Sequence, residues 1–180
     1  MTARIRETAL PGVLVIEPVV HGDSRGFFLE TWKDNQYRDF GIRETFVQDN
    51  HSRSGKNVLR GVHLQRKNPQ GKLVRVARGA VYDVAADINP RSPTFRRWVG
   101  VELNDTNLWQ LYVPPGYAHG FCVLSDMVDF LYKVTAYYDR ADEIGVRWDD
   151  PDLAIAWPIQ TPLLSERDKM LPLLRDLPGN

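Results

Sequence analysis

The chain has 180 residues, and its 23 Lys plus Arg balance 23 Asp plus Glu, for a formal net charge of zero with histidine neutral. That length fits one domain with a substantial core, taken as residues 1–180. The charge balance excludes a general nucleic-acid or membrane surface, so any anionic ligand must be held by a local cluster of cations.

The opening "MTARIRETALPG" lacks the apolar run of a signal peptide, and no stretch approaches the roughly 20 apolar residues of a membrane span. A soluble, cytoplasmic protein is therefore expected. "GVLVIEPVV" reads as a short strand. In "GDSRGFFLE", Asp23, Arg25 and Glu30 surround Gly26, a pattern that suits either a hairpin turn with solvated charges or a ligand contact. Alternation there sets Phe28 and Glu30 on one face, with Phe27 and Leu29 on the other. "DNQYRDFG" predicts a turn or two of helix ending at Gly41. "FVQDNHS" brings together Gln48, Asp49 and Asn50, which can bond a sugar or a base and can equally form a turn.

"LRGVHLQRKNPQGKLVRV" places His63 inside an apolar, strand-like run, with Arg60 three residues before it and Lys72 nine after. Cations beside an imidazole disfavour its protonated form and predict a pKa below the usual value of about 6.5. Strict alternation would set Arg60 and His63 on opposite faces, whereas a shared site needs both together. Gly61 lies between them, and a distortion of the ladder is expected there.

"LVRVARGAVYDVAADI", "RRWVGVEL" and "LYVPP" continue the series of short strands. His119 in "PPGYAHGF" follows a Pro-Pro-Gly turn that opens another strand, where a turn histidine bonded to backbone is the plain expectation. Cys122 in "GFCVL" is the only cysteine, so no internal disulfide or cysteine metal cage can form, and its apolar neighbours mark it as a core thiol. In "VDFLYKVTAYY", Tyr132 and Tyr138 share parity with Val128, Phe130, Val134 and Ala136, which describes one face of an unbroken strand and suits an aromatic core stripe. "SERDKMLPLLRDL" predicts a C-terminal helix with Ser165 as cap and Asp168 at the third helical position of a capping box. The elements describe an all-β sandwich or barrel with a few short helices near the N-terminal third and the C-terminus.

Taken in order, "GDSRGFFLE", "FVQDNHS", "LRGVHLQ", "PQGKLVRVARGAVYDVAADI", "SPTF", "PPGYAHGF", "YKVTAYY", "WDDPDLAIAWP" and "LSERD" resemble the dTDP-4-dehydrorhamnose 3,5-epimerases, members of the cupin jelly rolls. The resemblance covers about Gly12 to Asp168. It implies an enzyme that inverts C3 and C5 of dTDP-4-dehydro-6-deoxy-D-glucose without a cofactor. It assigns His63 as base, Asp168 as its orienting carboxylate, Lys72 with Arg60 as enolate stabilisers and Tyr132 as acid. Around the nucleotide sugar it places Arg25, Glu30, Gln48, Asp49, Asn50, Arg60, His119 and Glu143, with Tyr138 stacking on thymine. It also implies a homodimer in which some N-terminal residues serve the partner's site. Leu64, where the family commonly has an aromatic, and Arg167, where it commonly has a lysine, depart from the pattern. Relatives with the same catalytic set invert one carbon only, so a single-centre epimerase of a related dTDP-4-keto-deoxysugar is the alternative.

Two other readings keep the jelly roll. A metal-dependent cupin needs several ligands converging on one ion, but the four histidines, His21, His51, His63 and His119, never stand two to four residues apart, so no metal is expected. A non-catalytic sugar binder would tolerate loss of His63 or Tyr132, yet His63, Lys72, Tyr132 and Asp168 are all present.

Overall fold

Runs with apolar residues at every second position become strands because each then buries one face and leaves the other for polar side chains. The computed structural model describes residues 3–177. The strands are β1 (Arg4–Glu7), β2 (Leu14–Glu17), β3 (His21–Asp23), β4 (Gly26–Phe28), β5 (Gln48–Gly55), β6 (Leu59–Gln65) and β7 (Lys72–Arg78). They continue as β8 (Ala80–Ala86), β9 (Trp98–Asn104), β10 (Gln110–Val113), β11 (Ala118–Val123), β12 (Met127–Val134) and β13 (Glu143–Gly145). Two antiparallel sheets form the expected jelly-roll sandwich: six strands in the order β1-β2-β10-β7-β12-β5 and five in the order β13-β6-β11-β8-β9. The β3–β4 hairpin stands apart as a two-stranded ribbon.

Alternation divides the core into layers. Val74, Val76, Val128 and Phe130 of the six-stranded sheet meet Val81, Ala85, Phe121 and Val123 of the other sheet between the layers. Phe121 and Phe130 stack across this gap, with ring centroids 4.2 Å apart. Cys122 is fully buried, as its neighbours predicted, and burial pushes its thiol up to about 11. Leu14, Ile16, Leu73 and Tyr112 face outward from the six-stranded sheet, under helix α1 (Asp34–Asp39) and its flanks. Tyr37 of α1 is buried and donates its hydroxyl to Gln110 Oε1 at 2.6 Å. The helix ends before Gly41, which takes φ +89°.

The opposite outer face, on the five-stranded sheet, is covered by the chain after β13: Val146, Leu153, Ile155, Leu174 and Leu177 pack on Val62, Val84, Ala86 and Ala118. Buried Asp150 fastens this cover by accepting from the N–H groups of Asp152, Leu153 and Leu174 at 2.7–2.9 Å. Leu163 donates its N–H to the Asn57 carbonyl at 2.7 Å and accepts from the Leu59 N–H at 3.0 Å. These bonds deliver the short helix α2 (Glu166–Lys169) to the mouth of the sandwich beside β6. The predicted C-terminal helix is thus two pieces, α2 and a 3₁₀ turn over Leu174–Asp176, with Pro172 between them. No helix among the described residues is long and apolar enough to cross a membrane.

Candidate active site

A cleft of about 510 Å³ opens between the two sheets at one end of the sandwich. Its walls carry His63 and Arg60 of β6, His119 of β11, Lys72 of β7 and Tyr132 of β12, together with Tyr138, Glu143, Arg167 and Asp168. Phe121 and Phe130 form its floor.

The distortion expected at Gly61 is what puts Arg60 and His63 in one cleft. His63 pairs with His119, but Arg60 pairs with Phe121, so three steps along β6 oppose two along β11. The extra residue reverses the parity and turns both side chains to the same side. Gly61 has φ +121°, and a Cβ on it would lie 2.5 Å from the Gly120 Cα and 2.8 Å from the His119 carbonyl. Only a residue without a side chain fits where the two strands approach so closely. Arg60 is held in place by Ser54, whose hydroxyl accepts from its Nε and Nη2 at 3.2 and 3.1 Å.

His63 Nε2 and Asp168 Oδ1 are 2.5 Å apart, and Nδ1 stands 4.0 Å from a Glu143 carboxylate oxygen. Two carboxylates thus stand at the ring nitrogens, in the same cleft as the cations Arg60 and Lys72. Asp168 is buried; burial pushes its pKa up, but the hydrogen bond and charge of His63, with Ser165 and Arg167, outweigh it and leave the carboxyl below its ordinary value. The predicted Ser165 cap is present, its Oγ accepting from the Asp168 N–H at 3.1 Å. One residue thus serves the helix with its backbone and His63 with its side chain.

Across the cleft, desolvation lowers the Lys72 ammonium from 10.5 to about 8, while Glu143 and then Asp83 pull it back up. Burial raises the Tyr132 pKa, opposed by Arg60, so its phenol stays protonated at neutral pH. His119 is buried, and its partner is a carboxylate instead of the backbone: Nε2 lies 2.8 Å from Oδ1 of the fully buried Asp83. The other oxygen of Asp83 has no hydrogen-bond partner among the described residues. Sequence reading missed Asp83, although an acid at an inward position of the apolar run "AVYDVAAD" is the signal that marks it.

Tyr138 reaches the cleft by a different route from the one alternation suggested. β12 ends at Val134, and Tyr138 arrives on the following loop. Its hydroxyl accepts from Arg167 Nη1 at 3.1 Å and donates to Glu143 at 3.2 Å, while Arg167 and Glu143 form an ion pair. Arg167, flagged as a departure, therefore bridges two residues assigned to binding.

The remaining assigned residues lie outside this cleft. Gln48 and Asn50 share the face of β5 that carries Ser52, and Gln48 Nε2 donates to Asn50 Oδ1 at 2.7 Å. Asp49 has the opposite parity and pairs with Lys133 at 2.7 Å, yet it and Asn50 both line a separate cleft of about 290 Å³ with Arg75 and Tyr132. Arg25 sits on the exposed hairpin, paired among the described residues only with Asp23 at 2.5 Å, and Glu30 pairs with Lys33 at 3.6 Å. Neither reaches the cleft of its own chain, because strands of three residues with both faces exposed give the hairpin nothing to pack on. Among the described residues, no group of three or more His, Cys, Asp or Glu side chains is placed to hold a metal ion.

Residues 7–176 match the family model described as dTDP-4-dehydrorhamnose 3,5-epimerase. The chain belongs to that family. The dTDP-4-dehydrorhamnose 3,5-epimerase of Salmonella typhimurium is 53% identical over 171 residues, which are 93% of each chain. The crystal structure of the Legionella pneumophila dTDP-6-deoxy-D-glucose-3,5-epimerase in complex with dTDP-4-keto-L-rhamnose superposes with a TM-score of 0.95 at 47% identity, covering 97% of this chain and 94% of that one. A dTDP-4-dehydrorhamnose 3-epimerase of Streptomyces niveus is also similar, 39% identical over 175 residues, 96% of this chain and 84% of that one. The resemblance drawn from the sequence motifs thus extends over nearly the whole chain.

Proposed function

We propose that this chain inverts C3 and C5 of dTDP-4-dehydro-6-deoxy-D-glucose to give dTDP-4-dehydro-L-rhamnose. One observation carries the reading: the His63–Asp168 pair and the Tyr132 phenol stand on opposed sheets, facing each other over one cleft. Both carbons are α to the C4 ketone, so loss of either proton leaves an enolate, and a proton returned from the opposite side inverts the centre. With Nε2 of His63 engaged by Asp168, the other ring nitrogen accepts the substrate proton, and the carboxylate stabilises the imidazolium that forms. The Lys72 ammonium and the Arg60 guanidinium stabilise the enolate oxygen. Tyr132 donates its proton to the carbon from the other wall. Every proton in this scheme moves through a side chain of the cleft, so no cofactor is needed.

The same reading places the pyrophosphate among arginine forks, thymine against Tyr138, and His119, Glu143, Gln48 and Asn50 along the nucleotide sugar. It treats residues 1–180 as a single cytoplasmic domain acting as a homodimer. Support for the dimer lies in the hairpin, where Arg25 is stranded and Phe27 and Phe28 are 61% and 65% exposed. Arg25 and Glu30 then serve the neighbouring copy's cleft. The test is proton NMR of the substrate in D₂O with the protein present, following the C3 and C5 signals separately. Loss of both, with the L-sugar in the product, is expected; loss of one makes this a single-centre enzyme like the Streptomyces niveus relative, and retention of both with folded protein overturns the reading.

A further inference from the structure

Gln65 lies two residues beyond His63 on β6 and is buried, with 2% of its surface exposed. A buried amide requires hydrogen-bond partners, and all of those found for it are backbone groups of two loops. Its Nε2 donates to the Asn68 carbonyl at 2.8 Å and to the Tyr137 carbonyl at 3.2 Å, and its Oε1 accepts from the Asp139 N–H at 2.7 Å. The residue between those last two partners is Tyr138.

That segment needs a support of this kind. β12 stops at Val134, so no ladder runs as far as Tyr138. Gln70 Nε2 donates to the Ala136 carbonyl at 2.7 Å, and Gln65 grips the chain on both sides of Tyr138. The loop bearing Asn68 is fixed in turn, because the buried Asp142 carboxylate accepts from the Lys67 and Asn68 N–H groups at 2.8–3.0 Å. Tyr138, 50% exposed, therefore stands in the cleft wall on a backbone held from below.

We infer that Gln65 is a positioning residue which sets the Tyr138 ring as a platform at the nucleobase end of the cleft. This rests on the reading of Tyr138 as the thymine-stacking residue. β6 then carries both the base, His63, and the anchor of the platform, Gln65, about 7 Å apart along one strand. The spacing between the reacting sugar and the bound nucleobase is fixed by a ladder-bonded strand and not by loop conformation, and the platform is ordered before the ligand arrives.

The test is a double-mutant cycle on the full-length protein, with dTDP as ligand and calorimetry as the readout. Gln65→Met keeps a similar volume and removes all three bonds. Alone it weakens dTDP about tenfold, near the lower end of the cost of losing a base–aromatic stack. It also raises KM for the dTDP-sugar while kcat changes less than threefold. In a Tyr138→Ala background the same change costs less than twofold. Equal losses in both backgrounds, or an unchanged dTDP affinity for Gln65→Met, overturn the inference while leaving the reading of Tyr138 intact. A Tyr138→Ala chain that binds dTDP as tightly as its parent removes that reading and the inference with it. Should Gln65→Met fail to fold, Gln65→Glu, which keeps the acceptor for Asp139 and loses both donations, enters the same cycle with the same outcomes.

Discussion

Around His63 the partners are already in place: Asp168 at 2.5 Å, Glu143 at 4.0 Å, and a wall built from strands of both sheets. Around Arg25 the one partner among the described residues is Asp23, on a hairpin whose two phenylalanines face solvent. The cleft is assembled by the packing of one chain, whereas the hairpin carries Arg25 with no cleft wall beside it among the described residues. On the proposed function, geometry that must be accurate to fractions of an ångström is placed on the sandwich, and groups that add affinity are placed on an extension.

The largest expected effect breaks the assembled end. His63→Asn abolishes turnover, a loss of about 10²–10⁴-fold or more, while dTDP binding stays within about tenfold, below roughly 1.4 kcal/mol. Steady-state kinetics and calorimetry on one preparation check both halves, and undiminished turnover removes His63 from the base role. Tyr132→Phe should cost epimerisation more than exchange of substrate protons with D₂O, since His63 can still remove and return a proton on one face. Equal losses would contradict the assignment of the two walls. Gly61→Ala attacks the β6–β11 approach itself and should destabilise by at least about 2 kcal/mol, read from denaturant midpoints, because the new methyl meets backbone that cannot move aside.

Much of this was legible in the sequence. The strands followed from alternation, the ladder distortion from Gly61 between two residues that had to share a face, and the helix cap from Ser165. Partners across the fold were not legible. His119 meets Asp83 only because β11 pairs with β8, 36 residues away, and a period of two gives a residue's face but not its neighbour. Parity extended past the true end of β12 mis-set the route of Tyr138, and on β5 it separates Asp49 from Gln48 and Asn50, although all three were grouped by sequence proximity.

Two smaller effects sharpen the comparison. The Lys72 ammonium is present below about 8 and lost above it, so kcat should fall as pH rises through that value, and Lys72→Arg should move the alkaline limb upward. A limb left in place by that substitution would assign it to another group. On the hairpin, Arg25→Ala should raise KM about tenfold with kcat nearly unchanged. Mixing it with His63→Asn should restore part of the activity if clefts are completed by a second copy. Activity no higher than that of the Arg25→Ala chain alone would return Arg25 to its own chain.

β5 closes one edge of the six-stranded sheet, and no strand lies beside its outer side among the described residues. Such an edge is a template for indiscriminate aggregation. Here the outward positions carry Asp49, His51 and Arg53, tied to Lys133 and Asp129 of the neighbouring strand. Any chain that adds to this edge must accommodate a row of charges already tied to the neighbouring strand, which disfavours indiscriminate strand addition there.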